Sequence, residues 1–312
     1  MQEQALQPSA FACPVHKHAL GDNLFCTACA KPYPSVNGIP VLINDANSVF
    51  QTADYLQARG YEGASSYGGH LDNSRGWRQL YRRAIAALSE SNPPGRTFDA
   101  AQAVKQIQAQ QPDARVLVIG AGDSDIGGSN VVTTDVAFGA HVQCIADAHD
   151  LPFVDGSFDA CIAIAVLEHV VDPYRCVEEI RRVLRPRGFV YAETPFMQPV
   201  HMGAYDFTRF SHLGHRRLFR HFDELDSGIV GGPGTSAGQM LRYVIASLSE
   251  RAAVKRWLKL AALLLTYPMR WIDRICLGKL AAYDSASGFY FFGRLATEPL
   301  GDRELLALYR GG

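Results

Sequence analysis

Apolar positions along the chain follow two periods. Arg115-Val116-Leu117-Val118-Ile119, Val131-Val132-Thr133-Thr134 and residues 142–146, 160–164 and 189–193 are short runs rich in β-branched and other apolar side chains. Runs of that length without polar alternation predict strands buried on both faces, as in a parallel sheet. Between them the period becomes helical. Phe98, Ala101, Val104 and Ile107 share a stripe over residues 97–110, and Val177, Ile180 and Leu184 share another that ends at Arg187-Gly188. Asp172-Pro173 supplies an N-cap and a first-turn proline to the second of these helices. Residues 75–88 repeat the helical spacing through Trp77, Leu80, Tyr81, Ala84, Ile85 and Leu88, and residues 287–295 suit a last strand. Buried strands alternating with amphipathic helices predict an α/β fold around a parallel sheet.

Several connections are short for such a sheet. Twelve residues separate Gly122 from Asp135, and six separate Asp135 from Val142. A parallel crossover ordinarily takes a dozen or more residues. The first crossover helix is therefore expected to shrink to a turn or two, and the second to be absent. Residues 60–76 are rich in Gly, Ser and Asn and read as a linker or active-site loop. Residues 227–241, the longest uncharged stretch, hold five glycines and a proline and read as a loop, with a helix from about Gln239.

Composition adds limits. The chain has 312 residues, 47% of them apolar, enough for about two domains. Lys and Arg number 30 against 31 Asp and Glu, so a whole-chain basic footprint for nucleic acid is missing. The balance hides a local excess: residues 251–279 carry seven basic side chains, among them Arg251, Lys255 and Lys259 at four-residue spacing beside Trp257, Leu258, Leu264 and Leu265. An amphipathic helix on an anionic membrane, a subunit contact and an insert packed on its own domain all fit that pattern. The first residues show no secretory signal, and no apolar run approaches the ~18 residues of a membrane span. A cytoplasmic protein is expected, at most peripheral at the inner membrane surface.

Cysteine placement says more than cysteine number. Of seven, Cys144, Cys161, Cys176 and Cys276 sit singly in apolar stretches and read as core. The other three fall in Cys13-Pro-Val-His16, then nine residues, then Cys26-Thr-Ala-Cys29. Two such knuckles have the spacing of a tetrahedral zinc site, with thiolate and imidazole ligands that suit Zn²⁺. His18 is an alternative fourth ligand, and three free cysteines in a loop the simpler reading. With Tyr33-Pro34 and Gly38-Ile39-Pro40-Val41-Leu42, residues 13–43 resemble the zinc ribbons of the small activator subunits of tRNA and protein methyltransferases. His16 stands where the second cysteine is usual.

Residues 115–195 resemble the class I S-adenosylmethionine (SAM) methyltransferases. The resemblance rests on Gly120-Ala121-Gly122 after the first strand, Asp135 at the tip of the second, and Asp147-Ala-His-Asp-Leu-Pro-Phe-Val-Asp-Gly-Ser-Phe-Asp159. Val166-Leu-Glu-His169 and Val183-Leu-Arg-Pro-Arg-Gly188 complete it. It implies a Rossmann-like doubly wound sheet. It also implies Gly120, Ala121 and Gly122 beside the methionine and ribose of SAM, Asp135 on the ribose hydroxyls, Asp147 and Ala148 on the adenine, and Ala165 and Val166 near the reacting methyl. Val118 stands where an acidic residue is usual, and Ser124 where a third glycine is usual. Past the fifth strand, His201, Tyr205, Asp206 and Arg209 gather imidazole, phenol, carboxylate and guanidinium within nine residues. They are expected to line an acceptor pocket; a structural Asp–Arg pair pinning a loop is the alternative. His201 or His169 is the candidate general base, and Glu168-His169 reads equally as a solvent-facing helix start.

The organisation expected is a zinc ribbon over 1–45, a linker with helices over 46–110, and a methyltransferase domain over 111–300 with a helical insert at about 239–280. The function expected is SAM-dependent methyl transfer to a small-molecule, glycan or lipid-linked acceptor. An RNA methyltransferase, which the near-neutral charge disfavours, and a non-catalytic binding module are the rivals.

Overall fold

The computed structural model describes residues 11–57, 98–122, 126 and 130–312. The linker expected at 60–76, the helix expected at 75–88 and Ser124 lie outside the described residues. In the N-terminal segment, β1 (Phe25–Cys26) and β2 (Lys31–Pro32) form a small ribbon. β3 (Ser35–Val36) and β4 (Ile39–Leu42) make a hairpin through Asn37-Gly38, whose φ angles of 53° and 82° suit a tight turn. α1 (Thr52–Gln57) follows. α2 (Ala100–Gln110) starts at a capping box in which Asp99 and Gln102 satisfy each other's backbone amides. β5 (Val116–Ile119), β6 (Val131–Asp135), β7 (Cys144–Ala146) and β8 (Phe158–Ile164) are the short apolar runs.

α3 (Pro173–Val183) is capped by Asp172, which accepts from the Arg175 amide, and ends four residues before the expected Arg187 because β9 (Leu184–Pro195) begins at once. Then come α4 (His212–Leu218), β10 (Phe222–Gly231), α5 (Pro233–Ala246), α6 (Ala252–Thr266), α7 (Asp273–Cys276), β11 (Gly288–Leu295) and α8 (Asp302–Ala307).

One sheet takes in nine strands in the order β10-β11-β9-β8-β5-β6-β7-β4-β3. The strands from β9 to β4 are parallel; β11 and β10 extend one edge antiparallel, and β3 the other. Alternate residues of β5 enter different cores. Leu117 and Ile119 pack with Phe153, Phe158, Val177 and Ile180, whereas Val116 and Val118 pack with Phe98, Val104, Ile107 and Tyr191. The sheet is thus covered on both faces, as a doubly wound fold requires. Val118 is committed to the α2 side of the core. From β5 the chain moves outward through β6 and β7, then returns to β8 on the other side. At such a reversal the connections diverge and leave a crevice beyond the carboxyl ends of the strands.

The connection from β6 to β7 holds no helix, as the spacing predicts. The register shows how this is possible. Cys144, the first residue of β7, pairs with Thr134, next to the end of β6, so the chain steps sideways without travelling back along a strand. The room a crossover helix would fill is taken by the N-terminal segment. Val41, Ile43, Phe50 and Tyr55 pack on Val136, Val142 and Ile145, and the Tyr55 hydroxyl donates to the Val136 carbonyl at 2.6 Å. β4 itself joins the sheet by pairing Val41 with Ile145.

Residues 227–241 are not a loop. The stretch is the end of β10 followed by α5, which begins six residues before the expected Gln239. Its glycines permit close approach: a Cβ at Gly228 would lie 2.9 Å from the Tyr290 ring, and one at Gly234 would lie 2.2 Å from the Met269 carbonyl oxygen. The start of α5 is held by Asp273, which is fully buried and accepts from the amides of Gly232, Gly234 and Thr235 and from the Thr235 hydroxyl. A carboxylate there satisfies orphan helix donors and complements the helix dipole. α5, α6 and α7 form a helical insert between β10 and β11.

Candidate active site

The crevice between β5 and β8 is built on a close backbone approach. Gly120 has φ +65°, and a Cβ there would lie 2.3 Å from Val166 Cγ2. Only glycine fits this contact between the two diverging strand ends. Ala165 beside it also has a positive φ, 53°, a strained conformation for a residue with a Cβ. Asp135 ends β6 buried. Its Oδ2 accepts from the Gly122 amide and its Oδ1 from the Ala137 amide, each at 2.8 Å. The carboxylate therefore ties the glycine turn to the next strand. Ala121 is buried behind this turn, where its amide donates to the Thr134 carbonyl.

Asp147 follows β7. Its Oδ1 accepts from His149 Nδ1 at 2.6 Å and from the His149 amide at 3.0 Å, and its Oδ2 accepts from the Ser48 hydroxyl at 2.5 Å. Burial opposes the charge, but these donors outweigh it and hold the carboxyl below the usual carboxylate range. Gly120, Asp135, Asp147, Ala148, His149, Val166 and His169 line one cavity, and Val49 and Phe50 close its outer side. The cavity has a volume of about 30 Å³. The closing segment is anchored by Asn44 and Asn47, whose side chains donate to Asp150 Oδ2 at 2.9 and 3.0 Å.

At the other end, residues 196–209 fold over Glu168 and His169. The Phe207 amide donates to the Glu168 carbonyl at 2.8 Å, and the Tyr205 ring stacks on Phe50. His169 Nδ1 lies 2.7 Å from the Tyr205 carbonyl, and its Nε2 lies 3.1 Å from His201 Nε2. Burial pushes the His169 pKa down. Glu168 is buried, its Oε2 has no hydrogen-bond partner among the described residues, and burial raises its pKa to about 8. Asp206 and Arg209 form a closed pair. Arg209 Nη2 donates to Asp206 Oδ2 at 2.9 Å, Nη1 donates to Oδ1, and Nε and Nη2 also reach the carbonyls of Gln198 and Pro199. The His201 amide donates to Asp206 Oδ2 at 2.8 Å. Burial opposes the Asp206 charge, yet Arg209 and the His201 amide hold the carboxyl well below its ordinary range.

The N-terminal knuckles form a second cluster. The Sγ atoms of Cys13, Cys26 and Cys29 and Nδ1 of His16 all lie within 4.8 Å of one another, so the fourth position falls to His16. The amides of His16 and Cys29 point at the sulfurs of Cys13 and Cys26, at 3.4 and 3.3 Å. Burial disfavours a Cys13 thiolate, but the Tyr33 hydroxyl at 3.2 Å and the donors of His16 bring its pKa down to about 6. This donor set fits a tetrahedral ion.

Of the residues expected from sequence, Gly120, Asp135, Asp147, Ala148 and His169 line the one cavity, and His201 and Tyr205 adjoin it. Ala121, Gly122 and Ala165 are chain neighbours of the lining residues Gly120 and Val166 but are not among those that line it. Asp206 and Arg209 bond to each other and to the loop that carries His201. Glu168, weighed in the sequence equally as a lining residue and as part of a solvent-facing helix start, is buried in the same region. Ser48 and Phe50 belong to it as well and gave no signal in the sequence.

Residues 126–192, which carry β6 to most of β9, match the protein family described as "Methyltransferase domain". Asp135, Asp147, Ala148, His149, Val166 and His169 of the cleft fall within this matched segment. The chain is 40% identical over 73 residues to an uncharacterized methyltransferase of Mycobacterium sp. (strain JLS), covering 23% of this chain and 28% of the relative. It is 33% identical over 119 residues to the demethylmenaquinone methyltransferase of Clavibacter sepedonicus, covering 38% and 46%. The chain thus spans about a quarter to a half of the length of these relatives. Among solved structures it is similar to a putative sarcosine dimethylglycine methyltransferase from Galdieria sulphuraria, with 15% identity, a TM-score of 0.42 and coverage of 70% and 88%.

The Asp206–Arg209 clamp should stabilise the protein in a pH-dependent way. Because the folded-state pKa of Asp206 is depressed, its contribution is full above the unfolded value of about 4 and is lost as pH falls through the folded value. At pH 7, Asp206→Asn should cost about 1.5–3 kcal/mol, the range for hydrogen bonds to a charged group. Urea unfolding of both proteins at pH 7 and near pH 2 checks this, and a gap of equal size at both pH values would contradict it.

Proposed function

We propose that the protein is a SAM-dependent methyltransferase whose acceptor is a small molecule, free or carried on a glycan or lipid. The observation that carries the reading is the Gly120–Val166 contact at the strand-order reversal, with Val166 and the flanking Asp135 and Asp147 inside the matched methyltransferase segment and Gly120 just before it. These residues fit the cofactor. Backbone is exposed at a glycine that tolerates no Cβ, and two buried carboxylates, Asp135 and Asp147, stand at successive strand ends on the same cavity. SAM supplies an electrophilic methyl on a sulfonium. The chain's part is to position the acceptor and to exclude water. Val49 and Phe50, from the 44–57 segment, line the same cavity. His169 and His201 stand where an acceptor's nucleophile has to be held or relieved of its proton. The relative named for demethylmenaquinone supports a small-molecule acceptor.

A lipid-linked acceptor is supported by the helical insert. Trp257, Leu264, Leu265 and Ile275 are between 60% and 72% exposed. They lie among Arg251, Lys255, Arg256, Lys259, Arg270, Arg274 and Lys279, while the acid of this stretch, Asp273, is buried under α5. A surface both apolar and basic is suited to the headgroup region of an anionic bilayer. Among the described residues no helix is long and apolar enough to cross a membrane. The Cys13–His16–Cys26–Cys29 cluster is read as a structural zinc site.

Calorimetry with SAM is the first test. Heat of binding is expected, and none at millimolar SAM would sink the reading in favour of a non-catalytic module. His201→Ala should lower methyl transfer at least tenfold while SAM binds as before; unchanged turnover removes His201 from the site. Metal analysis of purified protein should give one zinc per chain that Cys26→Ser loses, and an intact fold with no zinc would disprove the ribbon's metal. In flotation with anionic liposomes the protein should rise with the lipid, and Trp257→Glu with Leu264→Glu should leave it behind. A wild-type protein that stays in the soluble fraction would count against the membrane contact.

A further inference from the structure

The geometry points to a second metal site: Glu168, His169 and His201 bind a divalent first-row transition ion at the acceptor end of the cleft. One ligand atom from each residue lies within 4.8 Å of the others. The hydrogen bonds decide which His169 nitrogen is bare. His169 Nδ1 faces the Tyr205 carbonyl at 2.7 Å, and a carbonyl can only accept, so Nδ1 carries the hydrogen and Nε2 is a lone pair. His201 Nδ1 lies 3.4 Å from both the Pro199 carbonyl and Asp206 Oδ2. The two Nε2 atoms face each other across 3.1 Å, a spacing bridged either by one hydrogen donated from His201 to the His169 lone pair or by a cation held between them.

A shared proton would relieve the two histidines but not Glu168. This carboxylate is 1% exposed and its Oε2 has no partner among the described residues. Its Oε1 stands 3.7 Å from His169 Nε2, while the neighbouring Arg209 is engaged by Asp206. One divalent ion satisfies all three groups. With metal–nitrogen bonds of about 2.1 Å, a 3.1 Å separation subtends roughly 95° at the ion, an ordinary ligand angle. The imidazole planes meet at 81°, so the rings are not stacked on each other. The backbone carbonyl behind His169 is the outer partner that ligating histidines usually have.

Two imidazoles and one carboxylate suit Zn²⁺, Mn²⁺, Fe²⁺ or Co²⁺ and leave coordination positions open. His169 lines the cleft, so those positions face the space where an acceptor sits. The role of the ion rests on the methyl-transfer reading. It would bind a hydroxyl acceptor through oxygen and lower its pKa, the proton passing to solvent water. The oxygen then takes the methyl as the carbon–sulfur bond breaks and the sulfonium becomes a neutral thioether. Both histidines would hold the ion, and neither would be the base.

The test titrates full-length, zinc-loaded protein, dialysed against citrate, with Mn²⁺ and follows the paramagnetic resonance signal of the free ion. Mn²⁺ leaves a thiolate-rich site to zinc, so it reports the oxygen–nitrogen site. One Mn²⁺ per chain is expected. His201→Ala, at a 36% exposed side chain and so benign for folding, should weaken it at least about tenfold. Glu168→Gln should do the same, and His221→Ala should not. A signal that stays free up to millimolar Mn²⁺, or His201→Ala binding as wild type, would overturn the site. No SAM or acceptor is present, so the two readings fail separately. Mn²⁺ bound without SAM heat sinks the methyl-transfer reading, and SAM heat without bound Mn²⁺ sinks the ion.

Discussion

Everything in this molecule that bears on chemistry depends on two strands leaving the sheet in opposite directions. β5 and β8 are neighbours, yet one leads outward toward β6 and the other toward β9. Their ends are held so close that Gly120 has no room for a Cβ against Val166. The crevice this opens receives the ends of β6 and β7, which bring Asp135 and Asp147 to it. Parallel pairing puts all these ends at the same edge, so the carboxylates and the glycine turn converge although residues 120 and 147 are far apart in the chain.

The N-terminal segment completes the domain. A crossover helix between β6 and β7 is missing, and an uncovered patch of sheet would remain without a substitute. Phe50, Tyr55 and β4 cover it, and Asn44, Asn47 and Ser48 bind Asp150 and Asp147 at the rim. One segment thus fills the core and lines the cleft.

Three buried carboxylates show how surroundings set the role of one chemical group. Asp273 receives backbone amides and a hydroxyl and pins a helix start. Asp206 receives a guanidinium and an amide and pins a loop. Glu168 has an oxygen with no donor, and its charge is correspondingly disfavoured. A buried acid without a partner is costly, and such a cost is tolerated where the group is needed for something other than stability.

The strands, the capped helices, the knuckle spacing and the glycine turn were legible along the chain because each is a local matter. β-branched runs, an Asp before a proline, paired Cys-x-x-(Cys/His) turns and Gly-x-Gly after a strand act through neighbouring residues. The missing second crossover was legible too, since six residues cannot hold it. The glycines at 228 and 234 were misread as looseness, because their use is to admit the Tyr290 ring and the Met269 carbonyl, which are distant in the chain. Ser48 and Phe50 were invisible as cleft residues for the same reason. Glu168 beside His169 read equally as a lining pair and as a solvent-facing helix start, and only the 196–209 loop that closes over it decides for burial. Local composition and spacing therefore specified the fold class, the Cys/His cluster of the knuckles, and the glycine turn with Asp135 at the next strand end. Which carboxylates are satisfied, which imidazole nitrogens face each other and what covers the cleft followed only from packing, because burial and hydrogen-bond partners come from segments far away in the chain.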